Sequence, residues 1–424
     1  MIVPGKSFNG AKRASRGLIR PWCGGIVLFL GLITSSFALG PAWVRQGFSP
    51  SEGGNPVIPL QNDPVVGAVG AVLPHPTDPL TLYVAGVGGG IWKTIDGGTT
   101  WTPQTDQQSS LAINWLAFDP TDATFNTVVA GVGRNSAFVL DREGGQLTGI
   151  LRTTNGGTAW TSLGFNELRD RNIFGVEARG TTVLVAAWNH PRTGGTGAGL
   201  YRSTDTGVNF DLVSGTSGLP AGNVSSLVGG PTNNNRFYAA VLNQGIFRSD
   251  DGGATWTSVT NQITGTTSNP TIIKMSVGAA GAAFLYVVGS DAHTTTVWRS
   301  ANQGASWTQM DSPSLFPGGQ ASLHGSIFAD PTNANRVYIG GDATGASLAI
   351  IVRGDASAAA GSQFTSIVGT GTASGTAPHV DSRSIRLDAS GRLIQGDDGG
   401  FYRQSSPGTA AGAATGADAA GGAA

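Results

Sequence analysis

Ionisable residues gather in four places in the last quarter of the chain. They are His324, Asp342, the segment Pro378-His379-Val380-Asp381-Ser382-Arg383, and the pair Asp397-Asp398. Carboxylates beside imidazoles and a guanidinium can transfer protons or ligate a metal ion. A pair of carboxylates flanking one bond is also what glycoside hydrolysis requires. Asp397, Asp342 and Asp381 are therefore candidate catalytic groups. His324, His379, Arg383 and Asp398 are candidate ligand-binding groups. The oxygen-rich set makes Ca2+ a candidate ion. Asp is also common in turns because it caps backbone N–H groups there. The pattern gains meaning only if a fold brings the residues to one place. No phosphate-binding loop, H-E-x-x-H pair or nucleophile elbow occurs anywhere in the chain.

A short repeat supplies that fold. The template [S/T]-x-[D/N]-x-G-x-x-[W/F] occurs at Thr94–Trp101, Thr153–Trp160, Ser203–Phe210, Ser249–Trp256 and Ser300–Trp307. An apolar or aromatic residue and a cation precede each copy: Trp92-Lys93, Leu151-Arg152, Tyr201-Arg202, Phe247-Arg248 and Trp298-Arg299. The third positions are Asp96, Asn155, Asp205, Asp251 and Asn302, spaced by 59, 50, 46 and 51 residues. Continuing at that pitch reaches two worn copies, Val352-Arg353-Gly354-Asp355 and Tyr402-Arg403-Gln404-Ser405. The five Asp and Asn side chains are expected to be structural, accepting backbone N–H bonds across a turn, with the Trp or Phe plugging a gap between neighbouring units.

Each of the seven units reads as four short strands separated by turn residues, which is the grammar of a β-propeller blade. The expected fold is all-β: a seven-bladed propeller of four-stranded antiparallel blades. The seventh unit runs out before its fourth strand. Pro41-Ala42-Trp43-Val44-Arg45-Gln46-Gly47 resembles a fourth strand without partners (compare Trp160-Thr161-Ser162-Leu163-Gly164), so the N-terminal strand is expected to close the ring. In a blade, the first strand starts and the second ends on one face. The ionisable residues of units 6 and 7 fall at those two places, so two His and four Asp should converge near the channel mouth. Equivalent turns of earlier units carry Arg134, His190, Arg192, Asp291 and His293.

Composition agrees with this reading. Of the 424 residues, 66 are Gly and 12% are charged, against about 7% Gly and about 25% charged in ordinary domains. Lys6, Lys12, Arg13, Arg16 and Arg20 precede an apolar run, Ile26–Ile33, and small residues Ser36 and Ala38. That is the layout of a signal peptide cleaved after Ala38, which implies a secreted or periplasmic protein with no membrane span after cleavage. Removing residues 1–38 leaves 20 cations against 26 acids, a net charge of −6, and takes away Cys23, the one cysteine. Nothing in that balance invites nucleic acid. The expected organisation is a leader at 1–38, a propeller at 39–406 and a low-complexity Ala/Gly tail at 407–424. A monomer is expected.

The repeated boxes resemble those of the Asp-box (bacterial neuraminidase repeat) superfamily over about residues 43–406. Its members include sialidases, two-propeller xyloglucan-cleaving glycosidases, sortilin-type receptors and a photosystem II assembly factor. The phrase Tyr83-Val84-Ala85-Gly86…Gly90-Ile91-Trp92-Lys93-Thr94-Ile95-Asp96-Gly97-Gly98 is most similar to secreted bacterial glycosyl-hydrolase-like proteins. The resemblance implies the propeller. It implies activity only where motifs match. The sialidase Arg-Ile-Pro motif is absent, and all six Tyr fall in expected strands. The xyloglucan-cleaving enzymes place a catalytic Asp in a D-x-G-G turn. Blade 1 has Val87 there, whereas Gly396-Asp397-Asp398-Gly399-Gly400 of blade 7 matches, which would make Asp397 one member of a pair. Those enzymes work in a cleft between two propellers, and one propeller is present here. The favoured function is an extracellular binding or scaffold module, for carbohydrate or for an extracellular protein. The alternative is a glycoside hydrolase using Asp397 with Asp342 or Asp381.

Overall fold

The computed structural model describes residues 42–46, 68–133, 146–189, 197–265, 268–270, 272–321, 323–343, 349–369, 372, 375–405 and 407. The expected leader, the tail beyond 407, and Arg134, His190 and Arg192 lie outside them. The described chain is a seven-bladed propeller with seven four-stranded antiparallel sheets. Blade 1 runs Val69–Pro74, Leu82–Gly86, Gly90–Thr94 and Thr102–Pro103. Blade 6 runs Ser326–Ala329, Arg336–Ala343, Ala349–Asp355 and Phe364–Ser366. Blade 7 has Ser384–Leu387, Leu393–Asp397 and Gly400–Gln404 from the C-terminal end and Trp43–Gln46 from the N-terminal end. Helical structure among the described residues amounts to a single turn at Phe165–Leu168 and a 3-10 turn at Ala279–Gly281.

The expected ring closure is present. Trp43 pairs with Gln404 and Gln46 with Phe401, antiparallel. This strand also restores what the seventh box has lost. In blade 5 the box residue Trp307 donates its indole N–H to the Val259 carbonyl of blade 4 at 2.8 Å. Trp43, 4% exposed, donates in the same way to the Ile367 carbonyl of blade 6 at 2.7 Å. The chain termini thus supply blade 7 with the aromatic its own turn lacks.

The core is a set of seams rather than one centre. Seven apolar clusters each join two neighbouring blades, from Tyr83, Leu116 and Trp160 between blades 1 and 2 to Val69, Val84, Ile394 and Phe401 between blades 7 and 1. Alternating small and large residues on both sheet faces let each blade fill two seams, and burying a Leu or Phe is worth roughly 1.5–3 kcal/mol.

In all five intact boxes the Ser or Thr oxygen accepts the N–H of the box Gly at 2.8–3.0 Å. The Asp or Asn Oδ1 accepts the N–H four residues on at 2.8–3.0 Å. Gly253 shows why that position is Gly. Its φ is 81°, and a Cβ there would lie 2.8 Å from Leu184 Cδ2 of blade 3.

Most of the cations before the boxes have a job the sequence did not reveal: they reach the next blade. Lys93 Nζ donates to Gly156 O at 2.8 Å, Arg202 Nε to Gly252 O at 2.8 Å, and Arg248 Nη1 to Gln303 O at 2.9 Å. Arg403 of blade 7 closes the circle on Gly97 O of box 1 at 3.2 Å. Boxes 1, 2, 4 and 5 are therefore internal clips and also sockets for a neighbour.

Candidate functional site

The first strands of successive blades lie side by side and line a central channel. His324 stands just before the first strand of blade 6, and Asp381 and Arg383 just before that of blade 7. Asp342 lies near the end of the second strand of blade 6, and Asp397 ends that of blade 7. All five and Asp398 are thus delivered to one face. They do not form one cluster. His324, Asp381 and Asp398 come together, with one ligating atom from each within 4.8 Å of the others. His324 Nε2 lies 3.8 Å from Asp381 Oδ1. Arg383 grips Asp398, with Nε at 2.6 Å and Nη2 at 2.5 Å from Oδ1.

Asp397, Asp342 and His379 stand apart, each for a visible reason. Asp397 is fully buried. Its Oδ1 accepts the Gly399 N–H at 2.9 Å and its Oδ2 faces the Gln395 amide at 3.2 Å. Burial pushes its carboxyl up to about 9, so it is neutral at physiological pH. Asp342, also buried, pins the connection from blade 5 by accepting the N–H groups of Gly318 and Gln320 at 3.1 and 3.4 Å. Burial raises its pKa too. His379 is exposed, with its Cβ against Gly399 and its Nδ1 3.3 Å from the Val380 carbonyl. Asp291 and His293 of blade 5 are likewise turn furniture. Asp291 caps Thr294 and His293, and His293 Nδ1 meets the Phe316 carbonyl at 3.0 Å.

The charge state of the cluster follows from burial. Desolvation first, then the charges of Arg383 and Lys274, pull His324 down to about 3, so its imidazole is neutral. Its Nε2 meets Gln320 Oε1 at 2.8 Å, which makes Nε2 the donor and leaves Nδ1 buried without a partner. Asp381 is raised by burial and by Asp398, and its Oδ1 is buried and unpartnered. One imidazole and two carboxylates form a donor set for a transition cation more than for calcium, which takes six to eight oxygens. One of the two carboxylates already carries a guanidinium.

Below the mouth the channel holds residues that the sequence reading passed over. Its cavity, about 190 Å³, is lined by Lys274, Arg383, Arg386, Glu177 and the serines of several first strands. Three of those serines stitch blades together. Ser226 Oγ accepts the Met275 N–H at 3.0 Å, Ser276 Oγ that of Ala329 at 2.9 Å, and Ser384 Oγ that of Val72 at 3.2 Å. The available signal was the polar positions inside otherwise apolar first strands, such as Lys274 in Ile272–Val277. Strands whose polar side faces neighbouring strands around a channel cannot be told from half-exposed strands by alternation alone.

Comparison with known proteins agrees with this architecture. Residues 190–353 match the family described as the DUF6242 beta propeller domain. Xyloglucanase Xgh74A of Acetivibrio thermocellus is 26% identical over 268 residues, covering 55% of this chain and 30% of that enzyme. The chain therefore spans under a third of the length of this relative. The crystal structure of the Niastella koreensis GH74 enzyme superposes with a TM-score of 0.58 at 16% identity, over 80% of this chain and 52% of that one. YCF48 bound to D1 peptide superposes with a TM-score of 0.51 at 14% identity, over 86% of this chain and 99% of that one. The chain is thus a propeller related to GH74 xyloglucanases. The structural likenesses speak for the fold, which hosts several functions.

Proposed function

We propose that this protein is an exported binding module that recognises polysaccharide through one face of an Asp-box propeller, without cleaving it. The observation that carries this reading is the burial of Asp397. It is the carboxyl group that matches the turn of the xyloglucan-cleaving enzymes, yet its side chain has no exposed surface and is neutral at physiological pH. A general acid or nucleophile must come within about 3 Å of the scissile bond. Asp342, the partner in blade 6, is buried and engaged with Gly318 and Gln320. The Asp381–Asp398 neighbourhood is a charge-paired structure around Arg383 rather than a carboxylate pair across an open groove. The choice of polysaccharide rests on the similarity to xyloglucanases, and export rests on the leader-like N-terminal segment.

The test incubates the protein and its Asp397→Asn variant with xyloglucan and other plant and microbial polysaccharides. Affinity electrophoresis reads binding, and a reducing-end assay reads cleavage. Binding with no new reducing ends, the same in both proteins, is the expected result. Reducing ends that appear with the parent and vanish with the variant would overturn it and establish a hydrolase.

A further inference from the structure

Inside the channel, two cations stand with no carboxylate oxygen at ion-pair distance among the described residues. Lys274, from the first strand of blade 5, donates its ammonium to the Gly325 carbonyl. Arg386, from the first strand of blade 7, donates Nη1 to the Ile385 carbonyl at 2.8 Å. Its guanidinium lies over the rings of Trp115 and Phe328, at 5.9 and 5.4 Å from their centroids. The other charges nearby are already engaged: Arg383 with Asp398, and Glu177 with Arg179 at 3.0 Å. The lining carries three cations, Lys274, Arg383 and Arg386, against one acid, Glu177, whose charge also acts on Arg386. Each of the three stitching serines already accepts a backbone N–H, which leaves its hydroxyl proton to donate. All three line the same cavity as Lys274 and Arg386.

We propose that the channel binds a small oxyanion, a phosphate, sulfate or carboxylate, between Lys274 and Arg386, with Ser226, Ser276 and Ser384 as hydroxyl donors. A guanidinium presents two N–H groups in one plane, and an ammonium adds a point charge from another side. An anion there would cancel the repulsion that a cation-lined channel otherwise sustains. The cavity has room for one such ion. This inference stands independently of the polysaccharide reading.

The full chain is titrated with sodium phosphate, sodium sulfate and sodium glucuronate at constant ionic strength, with chloride as the control. Calorimetry reads binding and thermal melting reads stabilisation. The expected result is saturable binding of at least one oxyanion, a rise in Tm of a few degrees, and affinity weakened about tenfold or more by Lys274→Met and by Arg386→Gln. Phosphate or sulfate binding alone identifies a free inorganic anion, whereas preference for glucuronate identifies a sugar acid. Absence of saturable binding of all three by the parent overturns the proposal, whatever the variants do. Undiminished binding by folded variants overturns it as well, because the anion then sits elsewhere. If the two variants do not fold, Lys274→Arg and Arg386→Lys replace them, and either one changing the affinity or the preference among the three anions supports the site.

Discussion

The box turns of blades 1 to 5 and the mouth of blades 6 and 7 use the same side chain in opposite ways. In the boxes, Asp96 and Asp205 are held down to about 2, the first chiefly by the Thr100 hydroxyl and the second chiefly by the Asn209 N–H. At the mouth, Asp342, Asp381 and Asp397 are all raised, and burial is the leading cause in each. The boxes are exposed and rich in donors, so their carboxylates are ionised and bound to the backbone. The mouth is buried: Asp342 accepts backbone N–H groups there and Asp398 leans on Arg383, yet burial still raises Asp342, Asp381 and Asp397. A cluster of Asp and His in sequence therefore does not by itself measure reactivity. The ratio of donors to buried oxygens decides whether an Asp fastens a turn or stores a proton.

That comparison can be broken at its strongest point first. Trp43 and Trp256 fill equivalent seams, one from the ring-closing strand and one from an intact box. Trp256→Ala is expected to cost about 3–5 kcal/mol. Trp43→Ala should cost at least as much, because it also releases the strand that closes blade 7. Chemical denaturation of both variants checks this. A Trp43 variant as stable as the parent would mean that the ring does not depend on its closing strand.

Next comes the buried carboxyl. The native state keeps a proton on Asp397 that the unfolded chain, with an ordinary carboxylate, has lost. Unfolding therefore releases a proton, and this group's contribution to stability falls as pH rises from about 4 towards about 9. Asp397→Asn should leave Tm unchanged near pH 4 and raise it at pH 8, because a neutral amide replaces a carboxyl that resists ionising. Thermal melts across that range decide the matter. A variant destabilised equally at every pH would show that Asp397 is held as a carboxylate and belongs with the boxes.

The fold was legible because its signal repeats. Seven copies of one spacing, two of them worn, expose blade number, strand order and closure by Trp43 without any tertiary information. The site was legible only as far as placement. Topology carried His324, Asp381 and Asp398 to one point, and they meet there. It could not show that Asp342 would turn to the Gly318–Gln320 connection, or that Asp397 would point into the blade, because both depend on which way a strand end rotates its side chain. The inter-blade reach of Lys93, Arg202 and Arg403 was hidden for a related reason. Each was visible as a repeated cation, but its partner is a backbone carbonyl in the following blade, and a carbonyl leaves no mark in sequence. Lys274 and Arg386 were hidden because a channel wall has the alternation of an ordinary strand.

Smaller effects sharpen the box side of the comparison. Ser249 is buried, accepts the Gly253 N–H at 2.9 Å and donates to Asp251 at 2.8 Å. Ser249→Ala leaves a buried N–H without its acceptor and is expected to cost about 1–3 kcal/mol. Urea denaturation would measure it, and a cost near zero would mean that the turn holds its shape through the Asp alone.

The smallest expected effect is also the sharpest. Asp96→Asn should be almost silent at neutral pH, because Asn155 and Asn302 already fill this position in boxes 2 and 5 and accept the same backbone N–H. What changes is the acid limb. Asp96 has its pKa lowered in the folded protein to about 2, so its stabilising effect is complete above the ordinary carboxylate pKa and is lost as pH falls towards 2. An amide has no such loss. The variant should match the parent at pH 7 and hold its Tm better between pH 4 and pH 2. The slope thus runs opposite to that expected for Asp397→Asn, whose gain appears as pH rises. If both substitutions shifted stability in the same pH range, the two regions would not differ in the way their carboxylates are held.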